Sequence, residues 1–160
     1  MDLGTYFEYK GRPAVRFERA YPHPIDRVWA AVSTPEGLAG WFPSKVDIEP
    51  RAGGTITFSG DPNVDDATGV VLAFDPLRQL TFTWGNDELH FELAPVGGGM
   101  CRLVLINALG DLSSAARNAA GWSVCLAELD NTLAESVTWQ DYYDAYVATG
   151  MPSGAPVPGQ

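Results

Sequence analysis

From Val46 to Ala108 the chain repeats short runs in which apolar and polar residues alternate, each closed by a turn signal. Val46 and Ile48 alternate with Asp47 and Glu49, and Ile56 and Phe58 with Thr55 and Thr57. Leu80, Phe82 and Trp84 alternate with Thr81 and Thr83, and Leu89, Phe91 and Leu93 with Glu88, His90 and Glu92. Gly53-Gly54, Gly85-Asn86-Asp87 and Gly97-Gly98-Gly99 mark the turns. A period of two leaves one face of a sheet apolar, and tight turns favour an antiparallel meander over parallel crossovers. That apolar face needs a cover.

The only long helical pattern follows the meander. Leu112, Ala116, Ala119, Trp122, Leu126, Leu129, Leu133 and Val137 form a stripe at spacings of three and four. It predicts a helix from about Ser113 to Val137, capped by Asp111 or Ser113, a rod of about 35 Å. Gly121 inside it costs about 1 kcal/mol relative to Ala and suggests close approach to a neighbour. Upstream, Arg12-Pro13 precedes a strand-like stretch from Ala14 to Ala20. Pro24 and Asp26 suit a helix start, and Ile25, Val28, Trp29 and Val32 share one face. Thr34 as N-cap and Pro35 at N1 begin a second, short helix carrying Leu38, before the aromatic pair Trp41-Phe42. Trp139, Tyr142, Tyr143 and Tyr146 suggest a short terminal helix whose aromatic face offers a route to homodimerisation. Residues 13–148 read as one domain, 1–12 as an extension, and 149–160, rich in Pro and Gly, as a disordered tail.

Ten Lys and Arg against twenty Asp and Glu give a net charge of −10. Such a surface repels nucleic acid, whose binding depends on cations displacing counterions, and equally an anionic membrane surface. No apolar run approaches the ~18 residues of a membrane span, and the start of the chain lacks a secretory pattern, so a cytoplasmic location is expected. Cys101 and Cys125 form no CxxC pair, and Cys125 reads as a small buried hydrophobe.

Several segments in order resemble one family. Phe17-Glu18-Arg19-Ala20, Pro24 with Val28-Trp29, Thr34-Pro35-Glu36-Gly37-Leu38 and Trp41-Phe42-Pro43 are similar to its opening pattern. Pro50-Arg51-Ala52-Gly53-Gly54 with Phe58, then Gly121-Trp122 with Leu126, Leu129 and Leu133, resemble its later segments. The family is the activator of heat-shock-protein ATPase homologues, in the START-like (SRPBCC) superfamily. The resemblance implies an α+β helix-grip fold: a curved antiparallel sheet around a long C-terminal helix, with two short helices after the first strand. It also implies a cavity between sheet and helix.

By strand parity Phe58, Phe82, Trp84 and Phe91 share the inner face with Leu105 and Asn107, while Trp122 and Leu126 approach from the helix. With Trp41 they form the expected lining for a small hydrophobic or aromatic ligand, although each ring taken singly is better explained by core packing. The Asn107 amide either orients a ligand or satisfies backbone near the strand end; the second is preferred. Glu88, His90 and Glu92 have metal-ligand chemistry, but their parity points them to solvent and a flat strand converges poorly on an ion. No metal or cofactor is expected. A binding module is the leading reading. A stress-related or chaperone-regulating interaction protein, and an enzyme using the same cavity with His90, Asn107 or a rim carboxylate, are the alternatives.

Overall fold

The computed structural model describes residues 2–62, 65–131 and 137–157. Strands β3 (Lys45–Ile48), β4 (Thr55–Ser59), β5 (Ala67–Asp75), β6 (Gln79–Trp84), β7 (Asp87–Pro95) and β8 (Cys101–Ala108) run as one antiparallel meander. Strand β2 (Arg12–Tyr21) returns beside β8, with Phe17 opposite Leu105, and β1 (Thr5–Tyr9) pairs outside it. The order is β1-β2-β8-β7-β6-β5-β4-β3. Because β2 and β3 are far apart in that order, the chain between them must cross the sheet. Helices α1 (Ile25–Ser33) and α2 (Pro35–Leu38) make the crossing, α1 over β7 and β8 and α2 toward β3. Thr34 caps α2 by accepting from the Gly37 amide at 3.0 Å, with Pro35 following it. Gly37 is required there, since a Cβ would strike the Ala30 carbonyl oxygen and lie 2.6 Å from the Ala31 Cα.

Helix α3 (Ala115–Leu129), entered through a 3₁₀ turn over Leu112–Ser114, covers the remaining inner face. Asp111 caps that turn through the Ser113 amide. The helix is shorter than its apolar stripe suggests. It closes at Asp130, and Asn131 takes a left-handed φ of 54° that ends helices. Leu133 lies outside the described residues, and Val137 belongs to no helix. Its length is therefore about 22 Å rather than 35. Helix α4 (Trp139–Ala148), opened by a Thr138–Asp141 capping box, packs on α3. The α4 aromatics are not presented outward: Tyr146 is buried and bonded to Ser123 and the Gly4 amide, and Trp139, Tyr142 and Tyr143 lean on the core.

The inner core is dominated by aromatic rings in tilted and edge-on contact. Phe42, from the α2–β3 connection, is inserted between sheet and helix. Its ring lies 6.1 Å from Phe58, 6.4 Å from Phe82, 6.1 Å from Trp84 and 5.6 Å from Trp122. Trp41 beside it donates its indole N–H to the Ala31 carbonyl and meets Phe91 edge-on. The space beneath α3 is thus filled.

Segments near both ends of the described chain pack into the fold, against what composition suggests. Residues 5–9 form the edge strand β1, turned by Lys10 and Gly11, both at positive φ, a geometry suited to a two-residue hairpin. The β-rich run Thr5-Tyr6-Phe7-Glu8-Tyr9 before Lys-Gly was the available signal. At the other end, where disorder is the expectation, Met151 and Ala155 are buried. The Pro152 carbonyl accepts from the Ala116 amide at 2.9 Å, satisfying an N–H that the first turn of α3 leaves without an internal partner.

Strand β1 also alters the outer face. His90, placed in solvent by its parity, is only 7% exposed because the Tyr9 ring covers it edge-on at 5.0 Å. Its Nδ1 faces the Thr81 hydroxyl at 3.2 Å and its Nε2 has no hydrogen bond. Burial, outweighing the pull of Glu88, pushes the His90 pKa below its ordinary value, with Lys10 and Arg12 acting in the same direction and Glu92 against it. The imidazole is then neutral in the fold but protonates more readily when unfolded, so stability is full above about pH 6.5 and falls as the medium acidifies through the folded pKa.

Two outcomes follow from this packing. Phe42→Ala is expected to cost about 3–5 kcal/mol in urea unfolding, as removal of a ring from a packed core does. Urea midpoints measured from pH 7.5 to pH 5 should decline for the native chain, and the decline should flatten in His90→Gln.

Candidate functional site

An open cavity lies beside the core, along one flank of α3. Successive turns of that helix place Arg117 and Asn118, then Gly121 and Trp122, then Cys125 on the same side, as a period of 3.6 requires. Opposite them stand Trp84 at the end of β6, Pro43 after the Phe42 ring, and Asp61 from the β4–β5 connection. Trp139 at the start of α4 and Val157 near the chain end complete a cavity of about 350 Å³. Trp84 and Trp122 meet at 5.3 Å between ring centroids, inclined at 56°. Trp139 is stacked on Tyr143 at 5.0 Å, which fixes its plane.

One wall is polar and fully wired. The buried Asn107 donates through Nδ2 to the Asp87 carboxylate at 3.0 Å and to the Ala108 carbonyl at 3.3 Å. Its Oδ1 accepts from Asn118 Nδ2 and from the Trp122 indole, both at 3.1 Å. Asn118 also donates to Asp87 at 3.1 Å, and the other Asp87 oxygen accepts from the Gly110 amide. This network pins the Trp122 ring and sets the register between α3 and the β6–β7 turn. Buried amides cost little when every group is paired in this way.

The thiol of Cys125 faces a poor setting for reactivity. Burial pushes its pKa up to about 12, and the nearby carboxylates of Glu128 and Asp61 add to the rise. Cys101, buried in β8, is raised as well. Neither is a nucleophile near neutral pH.

Of the nine residues expected to line the ligand site, only Trp84 and Trp122 border the cavity. Trp41, Phe58, Phe82, Phe91, Leu105 and Leu126 lie in the closed core, and Asn107 stands behind Asn118 and Trp122. His90 is on the opposite face of the sheet, so it cannot serve this cavity. Glu88 is drawn to Arg12 at 2.6 Å, and among the described residues no cluster of His, Cys, Asp or Glu could hold a metal ion. What parity missed is the flank of α3. Asn118, Gly121 and Cys125 lie at i−4, i−1 and i+3 from Trp122, so the helical repeat placed them beside it.

A curved antiparallel sheet closed by two short crossover helices and a helix near the C-terminus is the α+β helix-grip architecture. Residues 22–134 match the model of the family described as "Activator of Hsp90 ATPase homolog 1-like protein", and the chain belongs to that family. Solved structures share the fold. EF2215 from Enterococcus faecalis, described as a conserved protein of unknown function, superposes with a TM-score of 0.76 at 19% identity, over 95% of this chain and 92% of its own. CalU16 from Micromonospora echinospora gives 0.70 at 21% identity, over 91% and 94%. No curated protein matches the chain. Among the described residues no helix is long and apolar enough to cross a membrane.

At pH 8 iodoacetamide should alkylate Cys125 at least roughly a hundredfold more slowly in the folded chain than in urea, because so little thiolate is present. Peptide mass spectrometry over a time course measures this.

Proposed function

We propose that the chain binds a small hydrophobic or aromatic molecule in the tryptophan-walled cavity on the flank of α3. Gly121 carries this reading. A glycine in mid-helix costs about 1 kcal/mol relative to alanine. Nothing in the packing demands it, since a Cβ there would meet only the Trp139 indole nitrogen at 4.0 Å, an ordinary contact. What the missing side chain preserves is empty space facing Trp122 and Trp139.

Other features support the same reading. Ligand pockets usually occupy about 300–1,000 Å³, and this one falls at the small end, the scale of one or two rings. Its walls are largely apolar and include three tryptophans, with Arg117 and Asn118 on the α3 side and Asp61 across from them. The neutral thiol of Cys125 and the removal of His90 to the far face favour holding a molecule over transforming it. The interaction-protein alternative draws on no comparable feature, since the α4 aromatics that might have formed a docking face are turned into the fold.

Gly121→Ala should stabilise the fold by up to about 1 kcal/mol in urea while narrowing the cavity. Gly121→Leu should keep native near-ultraviolet circular dichroism yet lose the tryptophan emission shift that aromatic compounds induce in the unaltered chain. An unaltered chain that shows no shift with any such compound, and retains nothing from a lipid and metabolite panel in native mass spectrometry, would sink the proposal.

A further inference from the structure

Arg117 narrows the class of ligand. It is the one cationic residue among those bordering the cavity, in a chain with twice as many acidic as basic residues. Its guanidinium is held from two sides: Nε donates to Asn118 Oδ1 at 3.1 Å, and Nη1 donates to the Pro156 carbonyl at 2.9 Å. Both acceptors are neutral. No carboxylate lies within ion-pair distance of Arg117 among the described residues, although Asp111 is near enough to feel its charge. Nη2 donates to no described residue. A guanidinium fixed in plane by two neutral partners, with donors left over at a cavity edge, is preorganised for an anionic oxygen.

The other charged lining residue, Asp61, stands on the far wall from Arg117, where its carboxylate acts on Cys125. Asp61 already has a partner within the protein. Cys125 stays protonated near neutral pH and adds no negative charge. Asn118 has spent its amide donors on Asp87 and Asn107, so it supports Arg117 without offering a site of its own.

We infer that the ligand is a small aromatic acid, its ring against Trp84, Trp122 and Trp139 and its anionic oxygen on Arg117. This deepens the reading of the cavity given above and rests on it. The chemistry specified is a planar ring system bearing one carboxylate. An arylamine seated the same way would instead place its cation against the Arg117 guanidinium.

The test compares three probes of matched shape, 2-naphthoate, 2-naphthamide and 2-naphthylmethylamine, titrated against the native chain and Arg117→Gln at pH 7 and one ionic strength. Tryptophan emission and calorimetry give the affinities. Naphthoate should bind at least roughly tenfold tighter than naphthamide, as a charge-assisted hydrogen bond implies. Arg117→Gln should bring naphthoate down to the affinity of naphthamide. Equal affinity for naphthoate and naphthamide, or preference for the amine, would overturn the inference while leaving the cavity reading intact. Failure of all three probes at millimolar concentration would overturn both. Should Arg117→Gln fail to fold, the affinity ratio in the native chain decides by itself.

Discussion

The insertion of Phe42 between sheet and helix governs the rest of this structure. A curved sheet with a helix laid across it leaves a gap that something must fill, because unfilled volume in a core is costly. Here one ring reaches Phe58, Phe82, Trp84 and Trp122 together. The crossover of α1 and α2 delivers it, with Trp41 anchored to the Ala31 carbonyl one residue earlier. These ring contacts occupy the space beneath the helix, and a cavity lies to the side, where Trp84 and Trp122 still present surface. The cavity's position is therefore a by-product of how the core is packed.

Its rigidity has a separate source. The linked side chains of Asp87, Asn107, Asn118 and Trp122 tie the β6–β7 turn, strand β8 and helix α3 at one point. A polar network of this kind is worth having only if complete, since a single missing partner leaves a buried amide or carboxylate unpaired. Trp122 serves both sets of contacts, its indole N–H in the network and its ring against Phe42 and Trp84. The orientation of the cavity wall is in this way coupled to the register of the sheet.

Much of the architecture was legible in residue order. Alternation in β6 and β7, the Thr34-Pro35 start of α2 and the α3 stripe all express backbone periodicity, which is local. The site was less legible because it depends on which ring fills which gap, and parity cannot rank Trp41 against Phe42 or Phe82 against Trp84. Sheet parity also treats a face as wet unless something covers it, and so it misplaced His90, which Tyr9 shields from a strand more than eighty residues earlier. The end of α3 escaped notice since apolar residues continue in register beyond Leu129, whereas the stop is set by a left-handed Asn131.

The C-terminal segment extends the cavity in an unusual way. Pro152 closes the open end of α3, Pro156 steadies Arg117, and Val157 borders the pocket itself. The stretch from Pro152 to Val157 is thus architectural trim around a doorway. A change of backbone path along residues 152–157 would therefore reach the helix end, the guanidinium and the pocket mouth together.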